Sequence, residues 1–409
     1  MSHKGNASRP RFRGRPGVLY NPLSRFRLVG RPRSPSGPSM LSFAVAFLAS
    51  LFVTLLIIRY AHLHEKFSID SDLAGVQKFH VRPVPRVGGL GIVAGLLAGC
   101  VPLALRYPTV AGSIAGLAAC GLPAFASGLV EDLTKKVSPR ARLICTMAAA
   151  AIAFALVGVA ITRISVPPLD FLLGYTAISA VVTVLAVAAL ANAVNIIDGF
   201  NGLASMVAFM MFASLAYVAF QVSDPTVLSA SLVMMGAIMG FFIWNFPAGL
   251  IFLGDGGAYF IGFMLGELSI LLVMQHREVS AWYPVLLFMY PIFETCFSIY
   301  RKKFVRGISP GIPDGVHLHM LVYKRLMRWA VGTRAAHDLT RRNSLTSPYL
   351  WLLCLVAVIP ATLFWRHTVH LFAFVLVFAF TYVWLYVSIV RFRVPRWLVV
   401  RKQRARRHH

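Results

Sequence analysis

Twelve residues carry the densest chemistry of this chain: Asn192-Ala-Val-Asn195-Ile-Ile-Asp198-Gly199-Phe-Asn201-Gly202-Leu203. They close a long apolar run. Asn192 and Asn195 are spaced to share a helical face, and Asp198 continues it one turn on. Amides suit hydrogen bonds to a base or to sugar hydroxyls, and a carboxylate suits a hard cation. The glycines release the backbone where the helix ends. The plain alternative is a helix end capped by asparagine. A second segment, Asn245-Phe-Pro247-Ala-Gly-Leu-Ile-Phe-Leu-Gly254-Asp255-Gly256-Gly257, sets one carboxylate between glycines at the mouth of another apolar run. That pattern suits a metal ligand with room for a bulky anion. The plain alternative is an N-cap, and one aspartate can serve as both.

Three further segments are basic or mixed. Glu131-Asp132-Leu-Thr-Lys135-Lys136-Val-Ser138-Pro139-Arg140-Ala-Arg142 opens with adjacent carboxylates, which repel less when a cation or proton lies between them. Ser138 and Pro139 fit an N-cap followed by the first helical position. Lys78-Phe-His80-Val-Arg82-Pro83-Val-Pro85-Arg86-Val-Gly88-Gly89 places Arg82 and Arg86 before a helix N-terminus, where phosphate binds well. Simple charge anchoring would use the same residues. In Asp314-Gly-Val-His317-Leu-His319 the two histidines face one way if the chain is extended. Zinc would need further nitrogen or sulfur ligands at useful spacing, so contact with phosphate or sugar fits better. Glu267 and Glu294 fall inside apolar runs, where charge is expensive.

What must position these residues is a membrane bundle. The chain is 58% hydrophobic and 13% charged, with 14 acidic residues among 409. Eleven runs are long enough for helical spans: 39–60, 87–105, 109–130, 141–160, 171–194, 202–220, 227–247, 257–274, 281–300, 348–365 and 370–390. Strand signals are weak and open sheet edges cannot lie in lipid, so the class is all-α and polytopic. The expected organisation is a basic disordered extension at 1–38, a membrane domain at 39–390 and a basic tail at 391–409. Alternate loops and the tail hold 27 Lys/Arg against 4 in the loops between them. The richer set is expected in the cytoplasm, with every motif above on that side. The net charge of +26 thus follows topology, and nucleic acid is not an expected partner. Residues 1–38, with nine Lys/Arg and no acid, break the charge rule, and Met40 just before the first run reads as a natural start. Cys100, Cys120, Cys145, Cys296 and Cys354 lie inside spans without metal-ligand spacing and read as packing residues.

Taken together, from about residue 75 to 325, these segments resemble the polyprenyl-phosphate N-acetylhexosamine-1-phosphate transferase family, the glycosyltransferase family 4 type. Asn-Ala-Val-Asn-x-x-Asp-Gly-x-x-Gly-Leu and Asn-x-Pro-Ala-x-x-x-x-Leu-Gly-Asp-x-Gly, in that order, carry the resemblance. It implies transfer of an N-acetylhexosamine 1-phosphate from a UDP-sugar to undecaprenyl phosphate, with release of UMP. It implies a Mg²⁺ requirement, with Mn²⁺ as the alternative, and leaves room for a homodimer. It points to a multi-pass protein of the bacterial plasma membrane with a cytoplasmic active site. By position, Asp255 and Asp198 would serve the metal, and Glu131 and Asp132 would match the family's acidic pair near the acceptor phosphate. Asn192, Asn195, Asn201 and Asn245 would hold the nucleotide sugar. Lys135, Arg140, Arg142, Arg82, Arg86, His317 and His319 would contact phosphate or sugar.

Three positions depart from the family pattern. Glu131 stands where Asp is usual, Asn201 where many members have a further Asp, and Met320 where a third His is frequent. Eleven spans and the missing histidine favour the branch that starts surface polysaccharides such as O-antigen or capsule. Loop 301–347 is the expected sugar-selecting element. The rival reading is a transporter or flippase for lipid-linked glycans, but such proteins place ionisable residues at mid-membrane. Here the carboxylates gather at one face.

Overall fold

Apolar runs cross a bilayer as helices because a helix satisfies its backbone groups within the segment. The computed structural model describes residues 36–61, 69–70, 84–307, 309, 316–327 and 336–391, without the side chains of 36–39, 69, 70, 327 and 336–338. The expected extension and tail therefore lie almost wholly outside the described residues, as does Arg82.

The helices are α1 (Ser36–Arg59), α2 (Gly89–Arg106), α3 (Pro108–Cys120), α4 (Leu122–Thr134), α5 (Pro139–Leu156), α6 (Pro167–Leu173), α7 (Thr176–Ile197) and α8 (Leu203–Gln221). They continue as α9 (Pro225–Asn245), α10 (Gly254–Gln275), α11 (Trp282–Leu287), α12 (Met289–Tyr300), α13 (Leu318–Leu321), α14 (Ala336–Leu363) and α15 (Thr368–Val390). Two short strands, β1 (Ile69–Asp70) and β2 (Val84–Pro85), pair antiparallel. Several helices open on proline, which needs no N–H donor at that position. At α5 the expected cap is present: Ser138 Oγ accepts from Ala141 N at 3.2 Å, with Pro139 behind it. At α9 Asp224 does the same for Thr226 N and Val227 N.

All eleven expected runs are largely helical, but three of them are broken, that at 171–194 at Gly174-Tyr175 between α6 and α7. Among the described residues nine helices are long and apolar enough to span, or ten if α3 and α4, bent by 48°, form one crossing. Their break falls at Gly121-Leu122-Pro123. The run at 281–300 divides at Phe288 into α11 and α12, each with a proline in its first turn, Pro284 and Pro291. Proline removes an interior donor, so a helix tends to restart there rather than run through.

Burial ranks the helices. In α10, 94% of the spanning window is buried, against 22% in α1, α5 and α15, so α10 is the central post and the others face outward. It packs chiefly on α7 and α4, while α1 lies on α2 and α9. The approach to α4 is close because Gly128 faces the backbone of Gly256, and a side chain there would collide with it. α10 has 22 residues, or about 33 Å at 1.5 Å per residue, enough to separate two ends of the bundle. At the end beyond Gln275, Arg163 donates to the carbonyls of Val273 (3.0 Å), His276 (3.1 Å) and Val279 (2.7 Å). Arg366 pairs there with Glu278 at 2.9 Å. Arg163 and Arg366, two of the four Lys/Arg of the sparse loop set, thus stand at the end of α10 opposite Asp255.

Glu267 is on α10, roughly 20 Å along the helix from Gly254. It is fully buried, and neither carboxylate oxygen has a partner among the described residues. A buried polar group without a partner opposes folding. Glu267→Leu is therefore expected to keep or raise the melting temperature of the purified protein in detergent. A fall of more than about 5 °C would mean that the carboxyl makes a stabilising interaction.

Candidate active site

The site starts from backbone pairing between two distant loops. Phe252 N donates to Pro85 O (2.8 Å), Gly88 N to Phe252 O (3.0 Å) and Gly89 N to Leu253 O (2.9 Å). This short ladder sets Arg86 beside the head of α10. Gly254 follows with φ +77, a conformation that side chains resist. A Cβ there would also meet Arg86 O and the Asp132 carboxylate.

Asp132, on α4, reaches across to α10. Its Oδ1 accepts from Asp255 N and its Oδ2 from Gly256 N, both at 3.0 Å. The sequence offers capping by Asp255 as the alternative to a metal-ligand role; in the structure Asp132 fills the cap from a neighbouring helix. Relieved of that task, Asp255 in the first turn pairs through Oδ2 with Arg142 of α5, and its Oδ1 lies 3.9 Å from Arg86. Glu131 turns toward its own loop, where Oε2 accepts from Val137 N at 2.7 Å.

Asp198 ends α7, its N–H donating to Asn195 O at 3.2 Å. It lies deep in the protein yet keeps part of its surface open to a cavity. Burial pushes its carboxyl up to about 7, and the Arg86 guanidinium works against that shift. The loop after it is braced on both sides. Gly202 N donates to Asn245 Oδ1 (2.6 Å), and Asn245 Nδ2 donates to Ile251 O (2.7 Å). Asn201 N donates to Asn343 Oδ1 (2.8 Å), Asn201 O accepts from Ser347 Oγ (2.6 Å), and Asn201 Nδ2 donates to Pro247 O (3.2 Å). Asn201 and Asn245 thus hold the loop to α9 and α14.

His317 is extended, and His319 sits in the single turn of α13 that follows. Their rings stack 5.2 Å apart and 4° from parallel, so the expected common direction is present although only the first residue is extended. Phe200 meets His319 edge-on at 5.6 Å. Burial drives the His319 imidazole down to about 3, a neutral ring; Glu294 opposes that shift and His317 adds to it.

These elements enclose a cavity of about 330 Å³, lined by Arg86, Asn195, Asp198, Asn201, Asn245, Asp255, His317, His319 and Asn343 among others. Eight residues singled out by sequence thus share one wall system. Six others do not line it. Asn192 turns toward α5, donating to Thr146 Oγ1 (3.3 Å) and Ala188 O (2.8 Å), because three residues of helix rotate it off the face of Asn195. Glu131 and Asp132 lie behind the head of α10. Lys135 and Arg140 are exposed at the α4–α5 turn. Arg142 reaches the cavity only through Asp255. Asn343, missed in the sequence, had one signal: Asn343-Ser344 stands just before the apolar run at 348–365.

Fold and cavity define a polytopic all-α membrane protein with carboxylates, amides, an arginine and two histidines gathered at one end of its bundle. Residues 114–273 match the sequence model described as glycosyl transferase family 4. That match and the relatives below support a membrane transferase similar to the polyprenyl-phosphate N-acetylhexosamine-1-phosphate transferases. It is 28% identical to a probable undecaprenyl-phosphate N-acetylglucosaminyl 1-phosphate transferase of Bacillus subtilis (strain 168), over 72% of this chain and 80% of that protein. It is 30% identical to an undecaprenyl-phosphate alpha-N-acetylglucosaminyl 1-phosphate transferase of Thermotoga maritima, over 23% of this chain and 30% of the other. With a decaprenyl-phosphate N-acetylglucosaminephosphotransferase of Mycolicibacterium smegmatis it shares 26% identity, over 73% of this chain and 75% of the other.

Proposed function

We propose that this protein transfers an N-acetylhexosamine 1-phosphate from a UDP-sugar to undecaprenyl phosphate, releasing UMP, and so initiates a surface polysaccharide such as O-antigen or capsule. The names of the relatives support N-acetylglucosamine as the first sugar to try. The carrying observation is that Asp198 and Asp255, from the ends of two different helices, open on one cavity together with Arg86. The excess of basic residues in the loops at that end supports a cytoplasmic site in a bacterial plasma membrane.

Both substrates are polyanions, and two phosphates approach only when their charge is neutralised. Asp198 and Asp255 would hold Mg²⁺, or Mn²⁺ in its place. The donor set fits Mg²⁺, which binds through one or two carboxylates plus substrate phosphates and keeps several waters. No group of three or more His, Cys, Asp or Glu able to cage a metal occurs among the described residues. When bound, the ion would offset phosphate charge. Arg86 adds a fixed positive charge at the same wall. An ionised oxygen of the acceptor phosphate attacks the sugar-bearing phosphorus in line. The new P–O bond forms as the bond from that phosphorus to the bridging oxygen breaks, and UMP carries off the bridging oxygen. The attacking oxygen carries no proton near neutral pH, so no base is needed. Asp132, with both oxygens on backbone N–H groups, serves by holding Asp255 in place.

Purified protein with radiolabelled UDP-N-acetylglucosamine, Mg²⁺ and undecaprenyl phosphate should move label into the organic phase with stoichiometric UMP. Absence of UMP release with every N-acetylated UDP-sugar tried would remove the proposal.

A further inference from the structure

Glu294 belongs to no wall of the cavity and to none of the motifs. It lies on α12, outside the family-matched residues, and is fully buried. Three donors converge on it. His317 Nδ1 (3.0 Å) and Leu318 N–H (3.1 Å) meet Oε1, and the Tyr382 hydroxyl (2.7 Å) meets Oε2. An ionised carboxylate only accepts, so this arrangement fits Glu294 charged and His317 protonated on Nδ1. Nε2 is then the nitrogen left for the cavity that His317 lines. The residue before it is held as well: Arg301 Nη1 donates to Val316 O at 2.7 Å, and Tyr386 O–H to the same oxygen at 3.4 Å. Tyr382 and Tyr386 are one turn apart on α15. Glu294 of α12, itself braced by Tyr382, therefore grips His317 and Leu318, while Arg301 and Tyr386 hold Val316.

We infer that Glu294 is a positioning residue for His317. It fixes the ring with Nδ1 turned inward and Nε2 turned to the cavity, where a substrate phosphate would lie. The inference rests on the transferase reading for the identity of that phosphate, but not for the Glu294–His317 contact itself. A glutamate that only tied helices together would hold α12 to α15 without governing the histidine ring.

Two measurements on the full-length protein in detergent separate these roles. In ¹⁵N-histidine spectra, with His317 assigned by its loss in His317→Gln, a protonated Nδ1 signal is expected in the wild type, absent in Glu294→Gln and recovered in Glu294→Asp. In turnover, Glu294→Gln should lower kcat about 10–100-fold with a smaller change in KM, as loss of an orienting partner does elsewhere. Tyr382→Phe keeps the ring and removes one donor from Glu294. It should shift the His317 Nδ1 signal even if Glu294→Gln does not fold. A Nδ1 signal unmoved in Tyr382→Phe or in Glu294→Gln, or wild-type kcat and KM in Glu294→Gln, overturns the inference. A wild type that shows the signal but transfers no sugar phosphate overturns the proposed function and leaves the Glu294–His317 pair standing.

Discussion

Asp198→Asn is expected to abolish measurable transfer, a loss of at least about a hundredfold, without lowering the melting temperature. The physical reason is a conflict built into the site. Asp198 lies deep in the protein, and burial pushes its carboxyl up to about 7. A carboxyl raised in the folded state above its unfolded value favours the protonated form in the fold. Its charged form therefore opposes folding at pH values above the unfolded pKa. Asn keeps the shape, removes that opposition and removes the charge that the proposed divalent cation would need. Paired assays of UMP release and thermal unfolding check this. Wild-type turnover in Asp198→Asn would mean that the cavity as described is not where the chemistry occurs.

Asp132→Asn should fail in the other way, losing stability and activity together. Both Asp132 oxygens accept backbone N–H groups at the head of α10. An asparagine offers one acceptor and turns a donor toward the second N–H. Loss of a charge-assisted cap of this kind costs about 2–3 kcal/mol. Turnover should fall about 10–100-fold, because Asp255 begins the turn that Asp132 holds. Thermal unfolding in detergent separates the two aspartates: a drop for Asp132→Asn, none for Asp198→Asn. An unchanged melting temperature in Asp132→Asn would show that the cap is dispensable and would return Asp132 to the reacting groups.

The difference between these aspartates was only partly legible in the sequence. Asp198 was readable because its surroundings are local: a long apolar run, two amides at helical spacing and glycines where the helix ends. Asp132 was readable as an acidic pair with Glu131 but not as a cap, because the N–H groups it binds are 123 and 124 residues away. Asn192 shows the converse error. Spacing put it near the face of Asn195, and the neighbouring helix α5 took it instead through Thr146.

Chemical composition and order along the chain determined what could be determined locally. An apolar content of 58% favoured helices, the uneven placement of Lys/Arg set the expected orientation, and two ordered motifs carried the resemblance to a transferase family. Tertiary structure alone decided which polar groups share a cavity and which are consumed in holding it. Glu294 is the plainest case. As a residue in an apolar run it had no evident role, and only the fold brought His317, Leu318 and Tyr382 to it, up to 88 residues away. A hydrogen bond needs its partner within about 3 Å, and spacing along a chain fixes such distances only within a turn or two of helix.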